Sequence, residues 1–266
     1  MAHIPHVDYS VLDRPEVLSY LFYPHREQFR APAPENRVDV LIPVEEDIFI
    51  GSSFHLAGTS NPNILFFHGN GEIVADYDDL APVYLNLGIN LFATDYRGYG
   101  RSSGDPSVAG MMGDCHIIFD YVLNWMKENG HTGPLVVMGR SLGSASALEL
   151  AAHYKDRVDG LVIESGFAYL LPLLRLMGIN VEALGISEED GCRNLEKIGT
   201  YDKPTLVIHA EYDHIIPFSD GQALFDASTA SEKKMIKIDD ANHNDILFRG
   251  FRIYLQGIHD LMTTIS

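Results

Sequence analysis

The stretch VVMGRSLGSASALELAAHY, residues 136–154, joins two kinds of pattern through a corner of small residues. VVMG belongs to an apolar run of strand-forming residues, whereas SALELAAHY has the alanine and leucine content of a helix. The corner GRSLG, residues 139–143, satisfies the pattern G-x-S-x-G, which between a strand and a helix favours a sharp turn with the serine at its apex. We therefore predict that Ser141 stands clear at the edge of a sheet.

The residues around Ser141 fit a turn that presents a nucleophile. The neighbouring chain passes so close to such a turn that the positions two before and two after the serine must be small, and Gly139 and Gly143 meet this demand. The backbone N–H of Leu142 would point to where a developing oxyanion sits. The same pattern also fits a serine in a purely structural turn, so the assignment depends on partner residues elsewhere in the chain.

Short apolar runs alternate with helical patterns over most of the chain. The runs lie at residues 63–68, 89–95, 134–139, 160–165, 204–210 and 233–239, and the helical patterns at about 73–87, 108–129, 142–154, 219–228 and 245–261. Runs that are apolar on both faces are typical of a parallel sheet covered by helices. Residues 37–58 show apolar–polar alternation instead, which predicts two antiparallel strands at one sheet edge. The pattern predicts a doubly wound α/β fold.

Two segments fall outside this alternation. Residues 1–36 contain the proline-rich sequence RAPAPENR, and we expect them to pack on the body as an N-terminal extension. Residues 166–200 are too long for one connecting helix, and we expect a lid-like insertion that contributes a substrate wall. Its apolar sequence YLLPLLRLMGINVEALGI suggests an acyl pocket or a lid packed on the core. Residues 37–266 are predicted to form a single domain.

The composition excludes several classes of partner. The formal charge of −18 would repel phosphate backbones and anionic lipid surfaces, so we expect no nucleic-acid partner. Cys115 and Cys192 are 77 positions apart with no C-x-x-C spacing, which favours reduced thiols. We find no secretory signal pattern and no apolar segment of the length that a membrane span requires. These features predict a cytoplasmic protein; the oligomeric state cannot be read from them.

A serine hydroxyl is a poor nucleophile without a general base and a carboxylate that orients the base. Asp213 follows the apolar run 204–210, and His243 follows the run 233–239. Loops at the carboxyl ends of parallel strands lie at the same sheet edge, so Ser141, Asp213 and His243 can converge. Glu164, at the end of the run 160–165, is the alternative carboxylate, and Glu211, Asp239 and Asp240 are weaker alternatives.

The loop HGNGE, residues 68–72, can supply the second oxyanion donor, since its two glycines let the backbone approach a reacting carbonyl. We assign the donor to the N–H of Asn70, with Gly71 as the alternative, and expect His68 to pin the loop by hydrogen bonding. Neither HGNGE nor GYGRSSG fits a nucleotide-binding pattern. His3, His6 and Asp8 lie on a terminus without further ligands, so we expect no metal site there.

Together these motifs resemble the α/β-hydrolase superfamily, in particular the small-lid branch of serine hydrolases that includes esterases, thioesterases and relatives of prolyl-oligopeptidase catalytic domains. The resemblance runs through about residues 38–262 and is carried by HGNGE, DYRGYGRSSG, GRSLGSASA, EYDHIIP and ANHND in the family's order. It implies a mostly parallel sheet of about eight strands. It also implies structural roles for Asp95, Arg97 and Gly98. The insertion is shorter than the lids of large lipases, which argues against a dedicated triglyceride lipase.

The function predicted from these residues is hydrolysis of an acyl ester or thioester of a small molecule. Ser141, His243 and Asp213 would form the triad, with Asn70 and Leu142 as oxyanion donors, and no metal or organic cofactor is required. The alternatives are a peptidase or amidase with the same triad, and a binding protein that retains the fold without catalysis. Arg140 flanks the nucleophile, and the sequence does not show whether it faces substrate.

Overall fold

The protein is described here by a computed structural model that covers residues 7–30 and 32–265. Its centre is an eight-stranded sheet in the order β1-β2-β4-β3-β5-β6-β7-β8. The strands are β1 (Arg37–Glu45), β2 (Ile48–His55), β3 (Asn63–Phe67), β4 (Asn90–Thr94), β5 (Leu135–Arg140), β6 (Gly160–Glu164), β7 (Thr205–Ala210) and β8 (Lys233–Ile238). The predicted mostly parallel sheet of about eight strands is confirmed.

The register of the sheet follows the burial of its strands. β2 pairs antiparallel with both β1 and β4, and the remaining pairs are parallel. Every residue of β3 to β7 is buried, because helices cover both faces, and this explains their continuous apolar sequences. The antiparallel pair β1 and β2 forms one sheet edge, as its alternating pattern predicts.

Nine α-helices occur among the described residues. They are α1 (Pro15–Leu21), α2 (Ala81–Asn86), α3 (Val108–Glu128), α4 (Ser144–His153), α5 (Leu170–Leu176), α6 (Val181–Leu184), α7 (Asn194–Thr200), α8 (Phe218–Ala227) and α9 (Ile246–Ile265). None of them is long and apolar enough to cross a bilayer.

Local chemistry sets the ends and packing of these helices. The Ser107 hydroxyl accepts a 2.9 Å hydrogen bond from Gly110 N–H and caps α3. The single helix predicted for residues 73–87 is wrong: a 3-10 turn at Val74–Tyr77 precedes the separate helix α2. Pro82 explains the division, because proline lacks an N–H and is favoured in the first turn of a helix.

The N-terminal segment and the insertion, which lie outside the alternation of strands and helices, both contact other parts of the protein. Residues 166–200 contain α5, α6 and α7, and the Arg14 guanidinium donates a 2.7 Å hydrogen bond to the carbonyl of Leu184 in this insertion. Further along the N-terminal segment, Arg26 forms an isolated parallel bridge with Gly100. Residues 7–30 therefore contact both the insertion and the body, and His3 and His6 lie outside the described residues.

Candidate active site

Ser141 lies at the turn between β5 and α4, in the geometry that its sequence predicts. Its φ is +50°, a left-handed conformation that is uncommon outside glycine, and a 3-10 turn over Ser141–Gly143 leads into α4. A Cβ at Gly139 would collide with the backbone of Gly143, and one at Gly143 would collide with the carbonyl of Phe67. The small residues are therefore required by the close approach of β3 and α4.

The structure brings the three predicted triad residues together in one chain of hydrogen bonds. Nε2 of His243 lies 3.1 Å from Oγ of Ser141, and Nδ1 of His243 lies 2.7 Å from Oδ2 of Asp213. The side chains of Asp213 and His243 are 0% and 6% exposed, so water scarcely competes for these contacts. This arrangement can transfer a proton from the serine hydroxyl to the imidazole.

Asp213 is held as an ionised carboxylate. Burial works to raise the pKa of Asp213, but the hydrogen bond and charge of His243 outweigh it, and the pKa is lowered below its ordinary value. The second carboxylate oxygen accepts hydrogen bonds from the N–H groups of Ile215 and Ile216, at 3.0 and 2.8 Å. These contacts fix the carboxylate against rotation, which is what orienting an imidazole requires.

The alternative carboxylate, Glu164, has other partners. Its Oε1 accepts a 2.9 Å hydrogen bond from Nη1 of Arg140, and its Oε2 accepts a 2.6 Å hydrogen bond from the Tyr254 hydroxyl. Asp239, one of the weaker alternatives, has a side chain that is 75% exposed and that pairs with Lys237. Of the candidate acids, Asp213 is the one that the fold places against His243.

The predicted oxyanion donors, Asn70 and Leu142, lie beside the same cavity as Ser141. Asn70 belongs to the segment of residues 68–72 that follows β3, which we call the oxyanion loop. Asn70, Ser141 and Leu142 line one cavity. The side-chain oxygen of Asn70 accepts hydrogen bonds from the backbone N–H of Tyr23, at 2.8 Å, and from the Tyr99 hydroxyl, at 2.7 Å. The Asn70 side chain thus anchors the loop.

His68 also holds the oxyanion loop, as the sequence predicts. Its Nδ1 lies 2.8 Å from the carbonyl oxygen of Gly69, and its Nε2 lies 3.2 Å from a carboxylate oxygen of Asp95. Burial works to lower the pKa of His68, but the hydrogen bond to Asp95 outweighs it and the pKa is raised. Asp95 in turn accepts a 2.8 Å hydrogen bond from Val74 N–H. Both side chains are buried inside the protein, away from the cavity.

The cavity beside Ser141 has a volume of about 150 Å³ and a largely aliphatic wall. The apolar side chains come from α1, the nucleophile turn, α5 and its end, and the loop after Asp213: Leu21, Leu142, Leu173, Met177 and Ile215. The N-terminal segment and the insertion therefore both contribute to the same wall. A contribution from the N-terminal segment could not be read from the sequence.

Sequence reasoning left the orientation of Arg140 open, and the structure shows that this side chain is tied to protein groups. Its side chain is 10% exposed and donates to Glu72, Glu164 and the carbonyl oxygen of His243. The sequence does not predict the pairing with Glu72. Its only sequence signal was an acidic residue next to the glycines of the oxyanion loop.

A separate cluster contains residue types that bind metals. Ligand atoms of His116, Glu149 and His153 all lie within 4.8 Å of one another. Glu149 Oε2, however, lies 2.5 Å from the ammonium group of Lys197, and this pair is buried. A cation bound at Glu149 would face that ammonium charge, so we interpret the cluster as a structural network.

Comparison with known proteins agrees with the fold. A family model described as serine aminopeptidase, S33, matches residues 58–181, which include the oxyanion loop and Ser141. The esterase Pf2001 of Pyrococcus furiosus has the same fold, with a TM-score of 0.71 over 91% of this chain and 98% of that chain, at 17% identity. The chain has the α/β-hydrolase fold.

Two sequence relatives are longer than the region that matches this chain. Protein bem46 of Schizosaccharomyces pombe is 29% identical over 194 residues, which cover 70% of this chain and 62% of bem46. Lysophosphatidylserine lipase ABHD12 of Danio rerio is 31% identical over 191 residues, which cover 65% of this chain and 49% of that protein. The matched region thus spans less than two thirds of either relative.

Proposed function

We propose that the protein is a serine hydrolase that cleaves acyl esters or thioesters of small molecules through an acyl-enzyme intermediate. The observation that carries this proposal is the buried chain of hydrogen bonds from Asp213 through His243 to Oγ of Ser141. Such a chain supplies a general base and holds it in the tautomer that accepts the serine proton.

In the proposed mechanism, Oγ of Ser141 attacks the acyl carbon while Nε2 of His243 takes the hydroxyl proton. The carbonyl oxygen becomes an oxyanion, which the backbone N–H groups of Asn70 and Leu142 stabilise. Collapse of this intermediate expels the alcohol or thiol, which receives the proton from His243. Water then attacks the acyl-enzyme with His243 as general base, and the acid is released.

The cavity favours a small, apolar acyl group. Its volume of about 150 Å³ is below the range of roughly 300–1,000 Å³ typical of sites for drug-sized ligands. Leu173 and Met177 of the insertion close one side of it, so the acyl chain would lie between the insertion and the N-terminal helix α1. We infer a short acyl chain; the names of the Pyrococcus esterase and the Danio lipase support ester chemistry.

The second candidate is a peptidase or amidase, which the description of the matching family as serine aminopeptidase favours. An aminopeptidase must bind the substrate's ammonium group, and an anionic side chain facing the cavity would serve. Glu72 is the acidic residue among those that line the cavity, and its two oxygens already bind Arg140, Gly69 and Tyr77. With this carboxylate occupied, the geometry supports ester or thioester cleavage better.

A substrate panel tests the proposal. Purified protein should hydrolyse p-nitrophenyl esters of short acids faster than the octanoate or longer esters, and should turn over aminoacyl p-nitroanilides poorly. Short acyl thioesters belong in the same panel. Faster cleavage of the aminoacyl anilides would favour the peptidase alternative, and the absence of any turnover by folded protein would favour a binding protein.

We propose a single domain over residues 37–266, with residues 1–36 as an extension and residues 166–200 as its insertion.

Cys115 and Cys192 are free and buried, and burial raises the pKa of the Cys192 thiol to about 11, so neither thiol is poised to react. Reduced thiols fit the predicted cytoplasmic location.

A further inference from the structure

Arg140 directly precedes Ser141 and contacts three different elements around the site. Its Nε donates a 2.8 Å hydrogen bond to Glu72 in the oxyanion loop, and its Nη1 donates a 2.9 Å hydrogen bond to Glu164 at the end of β6. Its Nη2 donates a 3.1 Å hydrogen bond to the backbone carbonyl of His243. One guanidinium therefore spans both sides of the nucleophile turn.

Glu72 links Arg140 to the part of the oxyanion loop next to Asn70, the proposed oxyanion donor. While Oε1 of Glu72 binds Arg140, its Oε2 accepts a 2.7 Å hydrogen bond from the backbone N–H of Gly69 and a 2.6 Å hydrogen bond from the Tyr77 hydroxyl. Gly69 immediately precedes Asn70. The position of the Asn70 peptide relative to Ser141 thus depends on the link from Arg140 through Glu72.

The contacts of Arg140 with His243 and Glu164 connect it to the segment that carries the proposed general base. We call residues 239–245, between β8 and α9, the histidine loop. Arg140 binds this loop at the backbone of the proposed general base itself. Glu164 accepts a 2.6 Å hydrogen bond from Tyr254 of α9, the helix that follows the loop. The same guanidinium is therefore linked to the histidine loop directly and to α9 through Glu164.

The network is charged and buried. Burial works to lower the pKa of Arg140, but the carboxylates of Glu164 and Glu72 outweigh it, and the pKa is raised. Burial works to raise the pKa of Glu72, and Arg140 outweighs it, so the pKa of Glu72 is lowered. Both groups are consequently ionised at neutral pH. Ionised groups that are buried and paired strongly favour the one geometry that satisfies them.

Packing alone does not set this geometry. A second cavity of about 300 Å³ adjoins Arg140, and it is lined by Glu72, Glu164 and Tyr254 together with apolar side chains. Because open space lies beside the guanidinium, its position is fixed by its hydrogen bonds to the two loops and to Glu164 rather than by close packing on that side. The polar contacts carry the alignment.

We propose that Arg140 is a positioning residue that holds the oxyanion loop and the histidine loop in alignment with Ser141 during acyl transfer. The inference rests on the proposed function. It assigns no contact between Arg140 and the substrate. A planar fork is required, because the ammonium group of a lysine cannot donate in these three directions from one fixed plane.

The test compares Arg140→Lys with Arg30→Lys. Arg30, in the segment before β1, is a matched control. Its side chain is 11% exposed, and it also pairs with three carboxylates, those of Glu27, Asp39 and Asp78. We expect Arg140→Lys to lower kcat by about 10- to 100-fold, since displacements near 1 Å cost on this scale, while KM changes by less than about threefold. Arg30→Lys should leave kcat within about twofold.

A transition-state analogue separates positioning from general destabilisation. The affinity of Arg140→Lys for a short alkyl boronic acid, which forms a tetrahedral adduct on serine, should fall by about the same factor as kcat/KM. If Arg140 were only structural, both arginine variants would lower the unfolding temperature, and folded Arg140→Lys would keep the wild-type kcat and boronate affinity. That result would overturn the proposal.

Two further variants cover the case in which Arg140→Lys does not fold. Glu72→Gln and Tyr254→Phe each weaken one arm of the network, and both should lower kcat by about 5-fold or more with KM little changed. Wild-type kcat in both would overturn the proposal. Failure of the proposed function has a different signature, because then either the folded wild type would show no ester turnover or Ser141→Ala would retain it, whatever the network variants do.

Discussion

Nε2 of His243 lies 3.1 Å from Oγ of Ser141, although 102 positions separate the two residues in the chain. The fold achieves this because β5 and β8 are parallel strands of one sheet, so that the segments after them emerge at the same edge. The segment after β3, which contains Asn70, and the segment after β7, which contains Asp213, emerge at this edge as well. Four loops of the sheet thus supply one site.

The orienting carboxylate can be tested by a change that preserves shape. Asp213→Asn should lower kcat by about 10⁴-fold, since an amide favours the wrong tautomer of His243. Asp239→Asn is the control, because Asp239 lies in the histidine loop but is 75% exposed. It should retain kcat within about twofold. Comparable losses in both variants, measured on folded protein, would reject Asp213 as the acid.

The anchoring of the oxyanion loop predicts an effect for the Tyr99 hydroxyl, although Tyr99 is not among the residues that line the cavity beside Ser141. Tyr99→Phe removes the 2.7 Å hydrogen bond to the side-chain oxygen of Asn70. We expect kcat to fall by about 10-fold, less than the roughly 10²- to 10³-fold cost of losing an oxyanion donor itself. Tyr121→Phe, on a partly buried residue of α3, is the control. An unchanged kcat in Tyr99→Phe would show that Asn70 is held by other contacts.

The close approach at the nucleophile turn predicts a large loss of stability. Gly143→Ala places a Cβ against the backbone carbonyls of Phe67 and His68, neither of which can move without disturbing β3. The free energy of unfolding in urea should fall by about 3 kcal/mol or more. Gly113→Ala, in α3, has no atom within 4 Å of the added Cβ and should gain about 0.5–1 kcal/mol. Equal changes in unfolding free energy for Gly143→Ala and Gly113→Ala would contradict the close packing of Gly143 against the backbone of Phe67 and His68.

The wall of the 150 Å³ cavity predicts a shift in acyl preference. Leu173→Ala removes a buried side chain from that wall and should move the fastest p-nitrophenyl ester to a longer acid. Leu176 lies in the same helix, α5, but is 58% exposed. Leu176→Ala should therefore leave the chain-length profile as it is in the wild type. An unchanged profile in Leu173→Ala would place the acyl chain elsewhere.

The buried Glu149 predicts a pH dependence of stability. Burial works to raise the pKa of Glu149, but the hydrogen bond from His116 and the charge of Lys197 outweigh it, and the pKa is lowered to about 2. The ionised form therefore stabilises the fold above about pH 4.5, and this contribution, about 3 kcal/mol, is lost as the pH falls towards 2.

The measurement compares Glu149→Gln with the wild type by urea unfolding across this pH range. The difference in unfolding free energy should be largest near neutral pH and should narrow as the pH falls below 4.5. Glu182→Gln removes an exposed ion pair with Arg175 and should show a small, nearly constant difference. If the difference in unfolding free energy between Glu149→Gln and the wild type stayed constant with pH, the fold would not lower the pKa of Glu149.

The sequence predicts the sheet well because its central strands are buried on both faces. A run such as GLVIE must be apolar throughout, and this signal does not depend on which strand lies beside it. The positions of Ser141, Asp213 and His243 are predictable for a related reason, since each residue follows such a run. The helix predicted over residues 73–87 fails because apolar spacing alone does not show where Pro82 forces a new start.

The contacts of Arg140 could not be predicted, and the reason is physical. Its partners Glu72 and His243 are 68 and 103 positions away, and each charge has many possible partners until the fold fixes distances. Glu164 shows the converse: its place at the end of a strand makes it an alternative to Asp213 as the acid, but its side chain binds Arg140 and Tyr254. The contact of Tyr23 with Asn70 uses a backbone N–H, which leaves no trace in the sequence.

The most direct test of the central claim is to identify the residue that a fluorophosphonate modifies. Folded wild-type protein should gain one covalent adduct, and peptide mass spectrometry should locate it on Ser141, with His243→Ala reacting far more slowly. Ser141→Ala should gain none. An adduct on another residue, or undiminished labelling and ester turnover in Ser141→Ala, would contradict the account.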